Sequence, residues 1–209
     1  AKSLAKEKTK GFKLEANFDI DLKAGRISLP QLSADLIGLE IRGNMTGEDV
    51  DFEDGNGTLD GRLKVDGKNL GPLLRSVGQT DLAKSVRSMK IDAGVKGNLS
   101  DLILSPLTLT TTVAGAGVKK PVELKVAAGS ARANLDKETL VLDDLSVTGL
   151  GLNVKAKVDA EKIMSEPTFE GKLNVPAFNL KRLLARLNKP VPKTADPKAL
   201  TQLGLKTRF

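Results

Sequence analysis

Apolar and polar residues alternate along most of this chain, beginning near its start. In GFKLEANFDIDL, residues 11–22, the apolar positions Phe12, Leu14, Ala16, Phe18, Ile20 and Leu22 share one face, which predicts a long half-buried strand. Ala24-Gly25 turns it into a short strand from Ile27 to Leu29. A small signature then recurs three times: Leu29-Pro30-Gln31-Leu32-Ser33, Leu104-Ser105-Pro106-Leu107-Thr108 and Leu142-Asp143-Asp144-Leu145-Ser146, preceded by Ile27, Leu102 and Leu140. The parity of the apolar face switches inside each signature. One face stays buried through such a switch only if an extra residue is accommodated, so a bulge or kink is expected at each middle pair. Two of the pairs contain Pro, which suits a kink or an edge. Longer strands are expected to run on over 32–46, 107–114 and 145–158, two of them switching parity again near Leu36-Ile37 and Thr148-Gly149.

A larger module occurs twice. TLDGRLKVDGKNLGPLLRSVG at 58–78 matches TFEGKLNVPAFNLKRLLARLN at 168–188, pairing Gly61 with Gly171, Leu63 with Leu173, Val65 with Val175 and Asn69 with Asn179. Each copy begins as a strand and reaches an Asn suited to capping a helix. Each then spaces Leu residues at i, i+3 and i+4, giving a short amphipathic helix. Residues 18–46 likewise resemble 131–159. The expected organisation is one domain over 1–209 with two internal repeats, about 17–97 and 130–209, joined by hairpins over 98–129. Helices are expected at about 69–78, 80–88, 179–187 and 196–202. Most strand connections are short, so the sheet is antiparallel, and a dozen strands would span roughly 50–60 Å. Its apolar face must close as a barrel, pair as a sandwich or remain a groove. In VELKVAAGSARANLD the inward residues around an expected turn are small, which allows either close packing of another element or space for a ligand.

Composition narrows the chemistry. Among 209 residues there is no Cys, His, Trp or Tyr, which removes disulfides, most zinc and transition-metal sites, and Ser-His or Cys-His catalysis. The net charge of +7 is spread along most of the chain, and of the six Phe only Phe178, near Lys181 and Arg182, sits in a basic cluster, so nucleic acid is not expected as a partner. No run approaches the ~20 apolar residues of a membrane span. The opening AKSLAKEKTK reads as a linker or cut site and Phe209 falls in mid-strand, so a fragment of a longer protein is expected.

Three clusters invite sharper readings. KRLLARLNKPVPK carries Lys181, Arg182, Arg186, Lys189 and Lys193 without an acid. It could dock on anionic headgroups, or pack its Leu face on the sheet with the basic side in solvent. Asp49, Asp51, Glu53 and Asp54 before Gly55-Asn56-Gly57 resemble a calcium loop but lack the closing bidentate Glu. They read better as an acidic Asn-Gly hairpin with Val50 and Phe52 inward. Asp143-Asp144 are neighbours on a strand, pointing to opposite faces, which does not make a catalytic dyad. No metal or cofactor is expected, and the chain is not expected to be an enzyme.

The second module and its tail resemble the AsmA-like family of Gram-negative bacteria, related to larger bridge-like proteins of the TamB type. The resemblance rests on the strand with Gly171, the step Phe178-Asn179-Leu180 into Leu183-Leu184, and the element Thr194-Ala195-Asp196-Pro197-Lys198-Ala199-Leu200 followed by Leu203 and Leu205. The first module departs from it, with Asp81-Leu82-Ala83-Lys84 in place of the Asp-Pro element. The resemblance implies a mainly β fold, a long curved antiparallel sheet curled like a taco around a hydrophobic groove, with a few short helices. It implies an inner-membrane anchor absent from this chain, a periplasmic location, and a role in phospholipid transfer between the membranes that supports outer-membrane homeostasis. Candidate groove residues are Leu124, Val126, Ala128, Ala131, Ala133, Leu135, Leu150, Leu152, Val154 and Ala156, although each taken singly reads better as plain core packing. The expected partners are phospholipid or another acyl-chain ligand, the membrane, and envelope proteins. The alternative is a periplasmic scaffold that assists assembly of outer-membrane protein or lipopolysaccharide through protein contacts.

Overall fold

The computed structural model describes residues 13–36, 38–51, 54–98, 100–115 and 117–209. Twelve strands form one antiparallel sheet: β1 (Lys13–Asp21), β2 (Arg26–Leu36), β3 (Leu39–Glu48), β4 (Thr58–Lys68), β5 (Val86–Gly97), β6 (Asp101–Gly115), β7 (Val118–Ala128), β8 (Ser130–Asn134), β9 (Thr139–Gly149), β10 (Leu152–Glu161), β11 (Thr168–Phe178) and β12 (Leu203–Arg208). Strands pair in chain order, except that β7 and β8 share one position between β6 and β9. Among the described residues β1 pairs only with β2 and β12 only with β11. The sheet is therefore open, with two edges, and is not a barrel.

The three expected bulges are present. Leu29 and Leu32 oppose Met45 and Gly43, so Pro30-Gln31 hold the extra residue. Leu104 and Leu107 oppose Val95 and Ala93, and Leu142 and Leu145 oppose Val158 and Ala156. Between the last two, the β7/β8 strand kinks at Gly129 in step with its neighbours. Ser105 Oγ donates to Gly129 O at 2.8 Å, and the Gly129 N–H donates to Asp143 O at 3.0 Å. Each kink lets the apolar set change parity without changing face.

Several expectations are corrected. The later parity switches in 32–46 and 145–158 are chain reversals: Leu36 pairs with Leu39, and Gly149 with Leu152. At the second, Leu150 and Gly151 both take positive φ, +54° and +86°, as a two-residue hairpin turn of that hand requires. Residues 128–131 are not a turn, because β7 runs on into β8 in the same direction. The Asn-Gly pair at 56–57 does not make a tight hairpin. Glu48 pairs with Thr58 across a longer loop, from which Val50 tucks in, its N–H on Gly25 O at 2.8 Å. Phe12, Ile37, Phe52 and Glu53 lie outside the described residues.

Three short helices are present, α1 (Gly71–Ser76), α2 (Thr80–Ser85) and α3 (Leu180–Arg186). Asn179 caps α3 by accepting from the Arg182 N–H at 2.9 Å. Asn69 does not cap α1, whose first residues have no side-chain cap; it sits at φ +55° instead. The expected helix at 196–202 is a chain of turns. Asp196 accepts from the Lys198 and Ala199 N–H groups, and Leu200 turns left-handed at φ +64°, which stops helical propagation.

The sheet has one polar and one apolar face. On the polar face, cross-strand ion pairs tie neighbouring strands: Arg62 to Asp92 through two bonds of 2.8 and 2.9 Å, Lys90 to Asp66 at 3.6 Å and Lys96 to Asp60 at 3.3 Å. The Arg62 hydrogen bond holds the Asp92 carboxyl below the usual carboxylate range. A folded-state value below the unfolded one stabilises the fold above the unfolded pKa, and that contribution is lost as pH falls through the folded pKa. Urea midpoints should therefore fall on acidification below about pH 4, and Asp92→Asn should flatten part of that dependence, by less than about 1 kcal/mol for so exposed a pair.

The apolar face has no second layer of sheet. Its buried members are mostly alanines, Ala34, Ala93, Ala128, Ala131 and Ala160, with Val50 and Leu70, and no large side chain of the described residues is completely buried. Each alanine lies between larger cross-strand neighbours: Ala93 between Leu63 and Leu107, Ala131 between Leu104 and Leu142, Ala160 between Leu140 and Phe169. Burial is lateral, supplied by neighbours on the same face. The accessible surface, 14636 Å², compares with about 9,400 Å² for a typical folded monomer of this mass. Leu107→Ala should then cost about 1–2 kcal/mol by urea denaturation, less than the roughly 2–5 kcal/mol of an enclosed leucine; a cost in that upper range would indicate a covered core.

Candidate functional site: the apolar face

Strand register arranges the apolar residues in rows that cross the sheet. One row runs Leu14, Ala34, Ile41, Val65, Ile91, Leu109, Val126, Val147 and Val154, through nine strand positions without a polar side chain. Beyond the bulges a second row runs Ile20, Ile27, Gly47, Leu59, Gly97, Leu102, Ala133, Leu140, Ala160 and Phe169. From Ile27 onward this row alternates large and small at every strand. The alternation lets each large side chain lean over a small neighbour. At ~4.8 Å per strand, the rows extend roughly 40–45 Å.

The two ends of the face are fitted differently. Leu70, just before α1, lies over Gly67, where an added Cβ would come 2.7 Å from Leu70 Cδ2. At the opposite end Val50 Cγ2 lies 2.8 Å from the Cβ position of Gly47. Phe209 spreads its ring over Gly171, held by reciprocal backbone bonds of 3.0 and 3.2 Å between the two residues. Toward the edges the face opens. Leu14, Phe18 and Ile20 on β1 are exposed, Phe18 by 70%, and Leu205 and Phe169 are more than half exposed on the other side. The alternation expected along β1 is present, but none of β1 is buried, because an edge strand has a neighbour on one side only.

Of the ten candidate lining residues, eight lie on this face: Leu124, Val126 and Ala128 on β7, Ala131 and Ala133 on β8, and Leu152, Val154 and Ala156 on β10. They adjoin one another through β9: Val126 pairs with Val147 and that with Val154, and Leu124 reaches over Gly149, where no side chain would fit. Leu135 and Leu150 are not in the rows. They sit in the turns after β8 and before β10, Leu150 beside Arg186 in a recess of about 610 Å³ at the α3 end. Sequence reasoning stopped at the second half of the chain and missed Val65, Ile91 and Leu109, which continue the same rows. The alternation in β4, β5 and β6 carried that signal, and pairing across strands was needed to join it to the rest.

The basic segment after β11 is partly engaged within the fold. Lys181 Nζ donates to Thr194 Oγ1 at 2.6 Å and to Pro197 O at 3.1 Å, and the Leu180 N–H donates to Leu200 O at 2.9 Å. These bonds fold residues 194–200 back against the start of α3. Asp143, one of the adjacent carboxylates, pairs with Lys157 at 2.9 Å. Asp144 adopts φ +50° as the bulge residue. No group of three or more carboxylates among the described residues is placed to hold a metal ion, and no described helix is long and apolar enough to cross a membrane.

Neither family models, nor curated proteins, nor solved structures contain a match to this chain. What the site can do must therefore be read from its own chemistry. A broad, ungapped apolar surface without convergent polar groups can hold flexible hydrocarbon by burial alone. The neutral dye Nile red should bind the native protein with enhanced, blue-shifted emission, and Leu109→Lys, at the middle of the first row, should lower that emission about two-fold or more.

Proposed function

We propose that the chain binds acyl chains along the apolar face and serves phospholipid binding and transfer between the inner and outer membranes, supporting outer-membrane homeostasis. The observation that carries the reading is the row structure without a second sheet over it: apolar residues continue across nine or ten strand positions and are buried mainly by one another, with Val50, Leu70 and Phe209 reaching over the ends of the face. The resemblance of residues 168–209 to the AsmA-like family adds the envelope setting, with the chain on the periplasmic face of the inner membrane.

The mechanism is passive. Hydrocarbon lying across the rows gains ~0.8 kcal/mol per CH₂ removed from water. The large–small alternation repeats from strand to strand, so a chain displaced by one period meets a similar surface. Binding energy stays nearly constant along the path, which keeps the barrier to sliding low. Headgroups remain in water beside an edge of the sheet.

A second reading is a periplasmic scaffold. It is favoured by β1, which has no strand partner on its outer side among the described residues and whose Leu14, Phe18 and Ile20 are exposed. Such an edge accepts a strand from a partner.

Organic extraction and mass spectrometry of the purified protein separate the two. Stoichiometric phospholipid is expected in the parent, with loss in Val126→Asp and Leu152→Asp variants that keep the parent's circular dichroism. A folded parent free of lipid, before and after incubation with phospholipid vesicles, would refute the transfer reading and leave the scaffold.

A further inference from the structure

The polar face of the sheet is not uniform. Over β3, β4 and β5 its charges alternate in sign and neutralise one another: Glu40 with Arg42, Asp66 with Lys90, and Asp92 with Arg62. Over β9 to β12 the pattern changes, and a cleft of about 890 Å³ opens between two rows of side chains. One wall is Ser146, Lys155, Asn174 and Lys206, which are successive cross-strand partners. The other is Lys157, Lys172 and Arg208, again successive partners, with Asp144 at its end.

Five cations thus stand on three adjacent strands. Only Lys157 has an ion pair among the described residues, to Asp143 at 2.9 Å, and that hydrogen bond raises its pKa. Lys155, Lys172, Lys206 and Arg208 have none. With strands ~4.8 Å apart and two residues along a strand spanning ~6.8 Å, the four corners Lys155, Lys157, Lys206 and Arg208 outline a rectangle of roughly 10 by 7 Å. Lys172 and Asn174 stand midway along its long sides. The nearest further carboxylates on this face, Asp159 and Glu170, pair with each other's strands one row beyond Lys157 and Lys172, so they bound the basic area at one end.

We propose that this cleft is a binding site for a phosphate-bearing anion with at least two phosphate groups. A single phosphate would satisfy two or three of these cations, whereas two phosphates several ångströms apart engage both walls. Arg208 offers the planar fork that matches phosphate oxygens, and the lysines act as point charges around it. Asn174 and Ser146 add neutral donors. No aromatic side chain lines the cleft, so the base stacking that single-stranded nucleic acid uses is not provided. The site is on the face opposite the apolar rows and does not depend on their function.

The same chemistry could come from a soluble polyphosphate or from a bisphosphate lipid headgroup. The test is calorimetric titration with inorganic tripolyphosphate, beside co-sedimentation with phosphatidylcholine vesicles with and without cardiolipin. It compares the parent with Lys172→Gln/Arg208→Gln and with the control Arg42→Gln/Lys64→Gln, whose charges lie on the same face of β3 and β4. All four positions are solvent-exposed, and circular dichroism checks the fold. The expected result is binding weakened at least ten-fold in the first double variant and less than two-fold in the control. Tripolyphosphate binding lost this way identifies a soluble ligand. Cardiolipin-dependent sedimentation lost this way, without tripolyphosphate binding, identifies a headgroup. Equal weakening in both double variants would reduce the effect to net charge and overturn the site, as would no binding to either probe.

Discussion

A sheet with no second layer must bury its apolar residues sideways, and the rest of this structure follows from that constraint. Two stacked sheets bury large side chains by interdigitation. A lone sheet offers only neighbours about 5 Å away on the same face. The chain meets this with unequal partners. Leu63 and Leu107 flank Ala93, Leu104 and Leu142 flank Ala131, and in the row from Ile27 to Phe169 large and small residues alternate at every strand. The alanines become the buried core, and the leucines that flank them stay partly exposed. Uniformly large residues would crowd one another, and uniformly small ones would bury too little.

The bulges serve the same constraint along the strands. A bulge adds one residue to its own strand, so the apolar set switches parity there while an unbulged neighbour such as β5 or β10 keeps its own and the face stays continuous. The kinks at Ser105-Pro106, Gly129 and Asp143-Asp144 lie side by side and are joined by hydrogen bonds through Gly129. The rows on either side of that line consequently remain apolar from strand to strand. The local bend is shared between neighbouring strands.

With most apolar strand residues committed to one face, the other carries most of the charge, although Ile103 and Val141 lie on it beside Lys96, Arg132 and Asp159. In β3 to β5 that charge forms neutral pairs, which tie strands together. In β9 to β12 it leaves an excess of lysine and arginine around a cleft. The net charge of +7, spread along the chain in sequence, is therefore uneven in space. One sheet separates a hydrocarbon-compatible surface from a phosphate-compatible one by its own thickness.

Much of this was legible in the residues. Alternation identified the strands, parity switches located all three bulges, and the Leu spacing after Asn179 identified α3. These are local properties, carried by a period of two or by i, i+3 and i+4 positions on one segment. The reversals at Leu36-Leu39 and Gly149-Leu152 were misread, because a two-residue turn and a bulge both shift apolar parity by one. Only the partner strand distinguishes them. The continuation of β7 into β8 through Gly129 was hidden for the same reason. What the sequence determined by itself is which residues share a face within each strand. Which strands adjoin, how large and small residues meet across them, and where lysines from β10, β11 and β12 converge depend on register, and register is a property of pairs of segments far apart in the chain.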